Sequence, residues 1–201
     1  MSETESSVPD ESQSLKQRLK ATRDRLIHGA ATRMIDLGRQ NPRLRRAGYW
    51  LYGTATRYLP RGREVGKFGS VGDNVYRGAQ PSLRALRALQ EIGVQTVINL
   101  RPECDYERRI VERLGMRYVY LPLPPLDAPS HDTTLDFLQH VMNPENGVVF
   151  FHCYHGVDRT GTMAACLRMA RDDWSVDEAL AEMRDYKVHE SGQRAKVDYL
   201  T

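Results

Sequence analysis

Cys153 and Arg159 stand six positions apart in "HCYHGVDRTG", residues 152–161. A cysteine is a strong nucleophile once it is a thiolate, and an arginine fork matches two oxygens of a phosphate. Five intervening residues can curl around an anion with their backbone N–H groups facing inward, and Gly156 and Gly161 let that curl close tightly. A helix starting near Arg159 would set the positive end of its dipole behind the anion. The same positive surroundings lower a thiol pKa, so the chemistry on offer is attack of sulfur on phosphorus while Arg159 clamps the oxygens. Thr160 can donate its hydroxyl to the sulfur and ease its departure afterwards. His155, Gly156, Val157, Thr160 and Gly161 would line the substrate phosphate, although His155 reads equally well as facing solvent. The competing reading is a buried structural cysteine in a glycine-containing turn. A C-x5-R spacing alone is weak, but His, Cys, Gly, Arg, Thr and Gly together, between an apolar strand and a helix, favour catalysis.

The elements that must position this loop read as alternating strands and helices. "NVYRG" is a short strand, and Pro81 and Ser82 open a helix through "LRALRALQEIG", closed by Gly93. "VQTVINL" is a strand of β-branched residues with both faces buried. "ECDYERRIVERLG" reads as a helix ended by Gly115, "MRYVYLPL" as a strand, "PPLDAPSHD" as a Pro-rich loop and "TTLDFLQHVMN" as a helix. "GVVFFHC" is an apolar run too short for a helix, and "RTGTMAACLRMARDD" is the helix that starts inside the motif. Ser175 and Glu178 form a capping box for "VDEALAEMRDY". Strands separated by helices of this length imply an α/β fold with a mostly parallel sheet covered on both faces. Ligands of such sheets bind beyond the carboxyl ends of the strands, where Cys153 falls.

The chain has 201 residues, 40% of them hydrophobic and 27% charged, enough for one core plus an extension. Three cysteines, Cys104, Cys153 and Cys166, argue against a disulfide scaffold and for a reducing, cytoplasmic setting. No apolar run has the length of a membrane span, and no secretory signal pattern opens the chain. The net charge of +3 conceals two regions. Residues 1–67 carry 14 Lys and Arg against 7 Asp and Glu, and residues 68–201 carry 15 against 19. Residues 1–14 are acidic, Ser-rich and without aromatics, and read as disordered. Residues 15–67 read as a basic extension, with a helix over 15–37 whose apolar residues either pack on the catalytic domain or meet an anionic membrane surface. Tyr49, Trp50, Tyr52 and Tyr58 suit that interface, which places the membrane-facing segment at 15–60. Nucleic acid is not expected, because nothing resembles a reading head and the remaining domain is acidic. The domain division is therefore 1–14 tail, 15–67 extension, 68–190 catalytic domain and 191–201 C-terminal tail.

"HCYHGVDRTG" resembles the signature of the cysteine-dependent protein tyrosine and dual-specificity phosphatase superfamily. "VYRGAQPS", "GVQTVINLRPE", the Pro-rich loop and "GVVFFHC" are similar in order and spacing to its compact atypical members, over about residues 70–188. The resemblance implies a three-layer α/β/α fold, Cys153 as nucleophile, Arg159 as phosphate clamp, and no metal or other cofactor. It implies phosphoryl transfer to sulfur followed by hydrolysis, on a phosphorylated protein or on an inositol phosphate or phosphoinositide. It also implies that His152 orients the loop through hydrogen bonds.

The family uses an aspartate as proton donor to the leaving group, and three are open here. Asp127 lies on the Pro-rich loop 26 residues before Cys153 and is placed first. Asp158 lies inside the signature, as in the "DRT" loops of phosphoinositide phosphatases, with pairing to a basic neighbour as its plain role. Asp132 precedes "TTLDFL", where an N-cap explains it. Arg77 and Arg101 follow strands at the same sheet edge and are read either as contacts for a second phosphate or as surface charges. Cys104 is read as a free thiol, with a reversible bridge to Cys153 as the alternative, and Cys166 as core. Sulfur transfer on a rhodanese-like loop and phosphate binding without turnover are the other classes considered.

Overall fold

Strand β5, Val148–His152, lies in the middle of a five-stranded sheet, and the fold delivers everything else to its C-terminal end. The computed structural model describes residues 65–186 and 193–201, all within the compact unit Tyr58–Thr201. The acidic tail and nearly all of the basic extension, including its helix over 15–37, lie outside the described residues.

The elements run β1 (Gly69–Ser70), β2 (Val75–Gly78), α1 (Leu83–Glu91), β3 (Val94–Asn99), α2 (Arg108–Arg113), β4 (Arg117–Tyr120), α3 (His131–Met142), a 3-10 turn (Pro144–Asn146), β5, α4 (Asp158–Asp172), α5 (Val176–Asp185) and α6 (Gln193–Leu200). The sheet order is β1-β2-β5-β3-β4, with only β1 antiparallel. This is the expected mostly parallel α/β arrangement. Ser82 caps α1 by accepting from the Ala85 amide, and Ser175 and Glu178 form the capping box at the start of α5.

Alternation along β5 sorts its side chains between two cores. Phe151 faces the side of α3 and α4, where it meets Phe137 edge-on at 5.0 Å within a cluster that includes Leu100, Met163 and Leu167. Phe150 faces α1 and α2, beside Leu86, Leu89 and Val111. A central strand buried on both faces therefore reads as an unbroken apolar run. A third cluster joins Ala165, Ala179, Met183 and Leu200 behind α4.

Three expectations are corrected. Residues 191–201, read as a tail, carry α6, whose Leu200 is buried in the third cluster. The helix expected from Glu103 begins only at Arg108, because the carboxylates of Glu103 and Glu107 turn toward partners at the sheet edge. Asp132 is not the N-cap of α3; the helix starts at His131 and Ser130 caps it, leaving Asp132 exposed in the first turn.

Candidate active site

The strand register puts Gly78, His152 and Asn99 level with one another, since both neighbours pair with His152. The residues just beyond them, Ala79–Gln80, Cys153 and Leu100–Arg101, therefore emerge together at one edge. The loop 153–158 then has to turn its N–H groups inward, which sends its carbonyls outward and requires donors for those that are buried. β2 and its extension supply them. The Gln80 amide donates to the Tyr154 carbonyl at 3.0 Å, and an Arg77 terminal nitrogen donates to the Gly156 carbonyl at 3.1 Å. Gly156 has φ of +72°, and a Cβ there would sit 2.5 Å from backbone atoms of Gly78 and Ala79. Only glycine allows that approach.

Cys153 is buried at the bottom of this loop. Burial alone pushes its thiol up, but the Arg159 charge, the Thr160 hydroxyl and the backbone N–H groups of Thr160 and Gly156 outweigh it, leaving the thiol below its ordinary value. Cys104 and Cys166 behave oppositely: burial pushes Cys104 up and raises Cys166 to about 11. All three are free thiols.

Arg159 opens α4 and meets Glu103 in a two-pronged ion pair, Nη1 to Oε2 at 3.0 Å and Nη2 to Oε1 at 3.2 Å. Glu103 also accepts from Arg101 Nε at 3.1 Å. Arg101 continues to the Gln80 side-chain carbonyl at 2.8 Å, and the Gln80 amide donates to Glu107. Glu107 approaches His152 Nε2 at 3.0 Å, off the line a hydrogen bond needs, while His152 Nδ1 donates to the Cys153 carbonyl at 3.1 Å. This buried polar chain joins His152, the residue before Cys153, to Arg159. Asn99 pins its middle segment, accepting from the Arg101 amide and donating to the Cys104 carbonyl.

The structure thus brings Cys153, Gly156, Arg159 and Thr160 together, with Val157 and Gly161 buried in the loop and first turn. His155 is exposed, its ring edge-on to Tyr154 at 4.5 Å. Asp127 is half-buried on the Pro-rich loop and Asp158 half-buried at the start of α4. Arg77 and Arg101 are fully buried, so neither is a surface charge. Arg77 lies over the Tyr186 ring at 3.8 Å beneath the loop. Glu103, Glu107, Gln80 and Lys196 were not singled out in the sequence. The signal for the first two was a carboxylate just past a strand that ends at the ligand edge; Lys196 has no local signal.

Residues 68–199 match the model of the PTP-NADK family, described as a DSP-PTPase phosphatase fused to NAD+ kinase. The chain is 30% identical to the putative tyrosine-protein phosphatase OCA1 of Debaryomyces hansenii, over 63% of this chain and 69% of that one. It is 32% identical to the dual specificity protein phosphatase TpbA of Pseudomonas aeruginosa, over 57% of this chain and 51% of that one. The crystal structure of TpbA superimposes with a TM-score of 0.59, at 25% identity over 71% of this chain and 92% of that one. The inositol diphosphatase DSP5 of Arabidopsis thaliana is 28% identical over 57% of this chain and 59% of that one.

Proposed function

The chain belongs to this DSP-PTPase phosphatase family, and from that premise we propose that it hydrolyses phosphate monoesters through a covalent phospho-cysteine at Cys153. The observation that carries the reading is the convergence of the Arg159 guanidinium, the Thr160 hydroxyl and the backbone N–H groups of Thr160 and Gly156 on the buried Cys153 sulfur.

In the first step the Cys153 sulfur bonds to phosphorus while the phosphorus–ester oxygen bond breaks. Arg159 and the loop N–H groups take up the charge on the three remaining oxygens. The leaving oxygen departs on the side opposite the sulfur and needs a proton there. Asp127 is assigned that role, because it lies on a segment separate from the nucleophile's loop and can face it, whereas Asp158 belongs to the loop's own helix. In the second step water attacks the phosphorus and passes a proton to the Asp127 carboxylate, the sulfur–phosphorus bond breaks, inorganic phosphate leaves, and Thr160 stabilises the returning thiolate. Glu103 holds Arg159 in its fork geometry, and His152 with Glu107 braces the base of the loop.

Phosphotyrosine and phosphoserine or phosphothreonine proteins are the proposed substrates. Likeness to an inositol diphosphatase supports inositol phosphates as the second reading. Among the described residues no helix is long and apolar enough to cross a membrane. For residues 15–60 the charge and aromatic pattern supports a peripheral contact with an anionic membrane on the cytoplasmic side, which co-sedimentation with phosphatidylserine vesicles would register. The deciding experiment is phosphate release from phosphopeptides, phosphoinositides and inositol phosphates under reducing conditions, with Cys153→Ser as the blank. Release that disappears in the variant supports the cysteine mechanism and identifies the substrate class. Release that persists in the variant sinks it.

A further inference from the structure

Lys196 is a cation that the chemistry above does not use. It lies on α6 with 1% of its surface exposed, and its ammonium donates to the Pro125 carbonyl at 2.9 Å. Pro125 stands two residues before Asp127 on the Pro-rich loop. Burying a lysine is costly, and a leucine or methionine would fill the same space without that cost. Burial lowers its pKa, while the charges of Asp158, Cys153 and Asp127 favour the ammonium and Arg159 opposes it. The ammonium is therefore set in the field of the nucleophile and of both carboxylates considered for proton transfer.

The rest of α6 is anchored independently of the loop. The Tyr199 hydroxyl lies 2.8 Å from Thr134 Oγ1, its ring lies 5.4 Å from His131, and Leu200 is buried beside Ala165 and Ala179. The helix is thus tied to α3 and to the α4–α5 pair, and Lys196 extends that packing to the Pro-rich loop. A loop of consecutive prolines has few amide donors of its own, so its carbonyls depend on donors from elsewhere.

We propose that Lys196 is a positioning residue for proton donation: from α6 it holds the Pro-rich loop so that Asp127 faces the leaving-group side of the phosphate loop. This rests on the assignment of Asp127 above. Proton donation matters most when the leaving oxygen is strongly basic and little when it is already stable as an anion. Failure to position the acid therefore has a signature that general loosening of the fold lacks.

The test compares the full-length wild type with Lys196→Met and Asp127→Asn on phenyl phosphate, a poor leaving group, and p-nitrophenyl phosphate, a good one. The expected result for Lys196→Met is a fall in kcat on phenyl phosphate of about tenfold or more, with less than about threefold on p-nitrophenyl phosphate. Added to Asp127→Asn, Lys196→Met should then cost little more on phenyl phosphate. An equal fall on both substrates, or no fall, with Asp127→Asn still selective, overturns the proposal and leaves the acid assignment standing. An Asp127→Asn variant that keeps the wild-type ratio overturns the assignment itself. Circular dichroism checks folding, and Lys196→Leu is read on the same ratio if Lys196→Met does not fold.

Discussion

Glu103 grips both terminal nitrogens of Arg159 across 56 residues of sequence, at 3.0 and 3.2 Å. The pair joins the loop after β3 to the start of α4, so the orientation of Arg159, the proposed phosphate clamp, is set from outside the signature. Replacing Glu103 with Gln keeps the shape and removes the charge. Expected is a fall in kcat/KM of about 10- to 100-fold, carried largely by KM, because the fork is no longer held for the phosphate. Steady-state kinetics on p-nitrophenyl phosphate would check it, and an unchanged KM would contradict it.

The same pair makes stability depend on pH. Burial pushes the Glu103 carboxyl up, but Arg159 and Arg101 more than reverse it and hold it at about 2 against an ordinary 4.5. A depressed carboxylate contributes its stability in full above the unfolded value and loses it as pH falls toward the folded one. On the order of 3 kcal/mol should disappear between about pH 5 and pH 2. Urea denaturation of wild type and Glu103→Gln through that window should show a shallower slope in the variant.

Alkylation should discriminate among the three thiols. Cys153 lies below the ordinary thiol value, and Cys104 and Cys166 lie above it. At neutral pH, limiting iodoacetate should modify Cys153 first and abolish activity in step, as peptide mass spectrometry would show. Arg159→Met should slow that modification by removing the charge that most favours the thiolate. Faster labelling of Cys104 would count against the assignment.

Gly156→Ala tests the loop's backbone. The positive φ disfavours any side chain, and the added methyl would meet the Gly78–Ala79 backbone. The loop would have to move, misdirecting its N–H groups, so kcat should fall by about 100-fold or more. The effect on thermal unfolding should be the smaller one, since the hydrophobic clusters are untouched. A folded, fully active variant would mean that the loop is not held as described.

Arg77 should separate stability from activity. It is fully buried, two of its guanidinium nitrogens have no hydrogen-bond partner among the described residues, and burial lowers its pKa. Its bond to the Gly156 carbonyl nevertheless helps keep that carbonyl outward. Arg77→Met should change the melting temperature little, because release of the guanidinium's burial cost offsets loss of its contact with Tyr186 and its bond to Gly156. Activity should drop by about tenfold or more as the loop loses that brace. Paired melting and kinetic measurements would check it, and a large loss of stability would contradict it.

Most of the architecture was legible in the sequence, because each element carries its own signal. The apolar run "GVVFFHC" became β5, Ser82 and Ser175 became helix caps, and α4 begins within the quoted motif. Reading failed where tertiary partners overrode local tendency. Glu103 to Glu107 looked helical, yet two carboxylates in that stretch are drawn to Arg159, Arg101 and Gln80. The closing residues looked like a tail because α6 is short and its value lies in what Lys196, Tyr199 and Leu200 touch elsewhere.

The sequence by itself determined the strand, turn and helix start that carry Cys153 and Arg159, on which the proposed phosphate chemistry rests. A strand, a glycine-containing turn and a helix start are built from neighbours along the chain, so residue types and spacing suffice to describe them. Only the tertiary structure decided what braces that loop: Arg77 behind Gly156, Glu103 on Arg159, and Lys196 on the loop of Asp127. Those pairs are 79, 56 and, for Lys196 with Pro125, 71 residues apart. They exist because the parallel register levels three strand ends and because a charge carried into the interior must find a partner there. Neither condition is written in any one stretch of the chain.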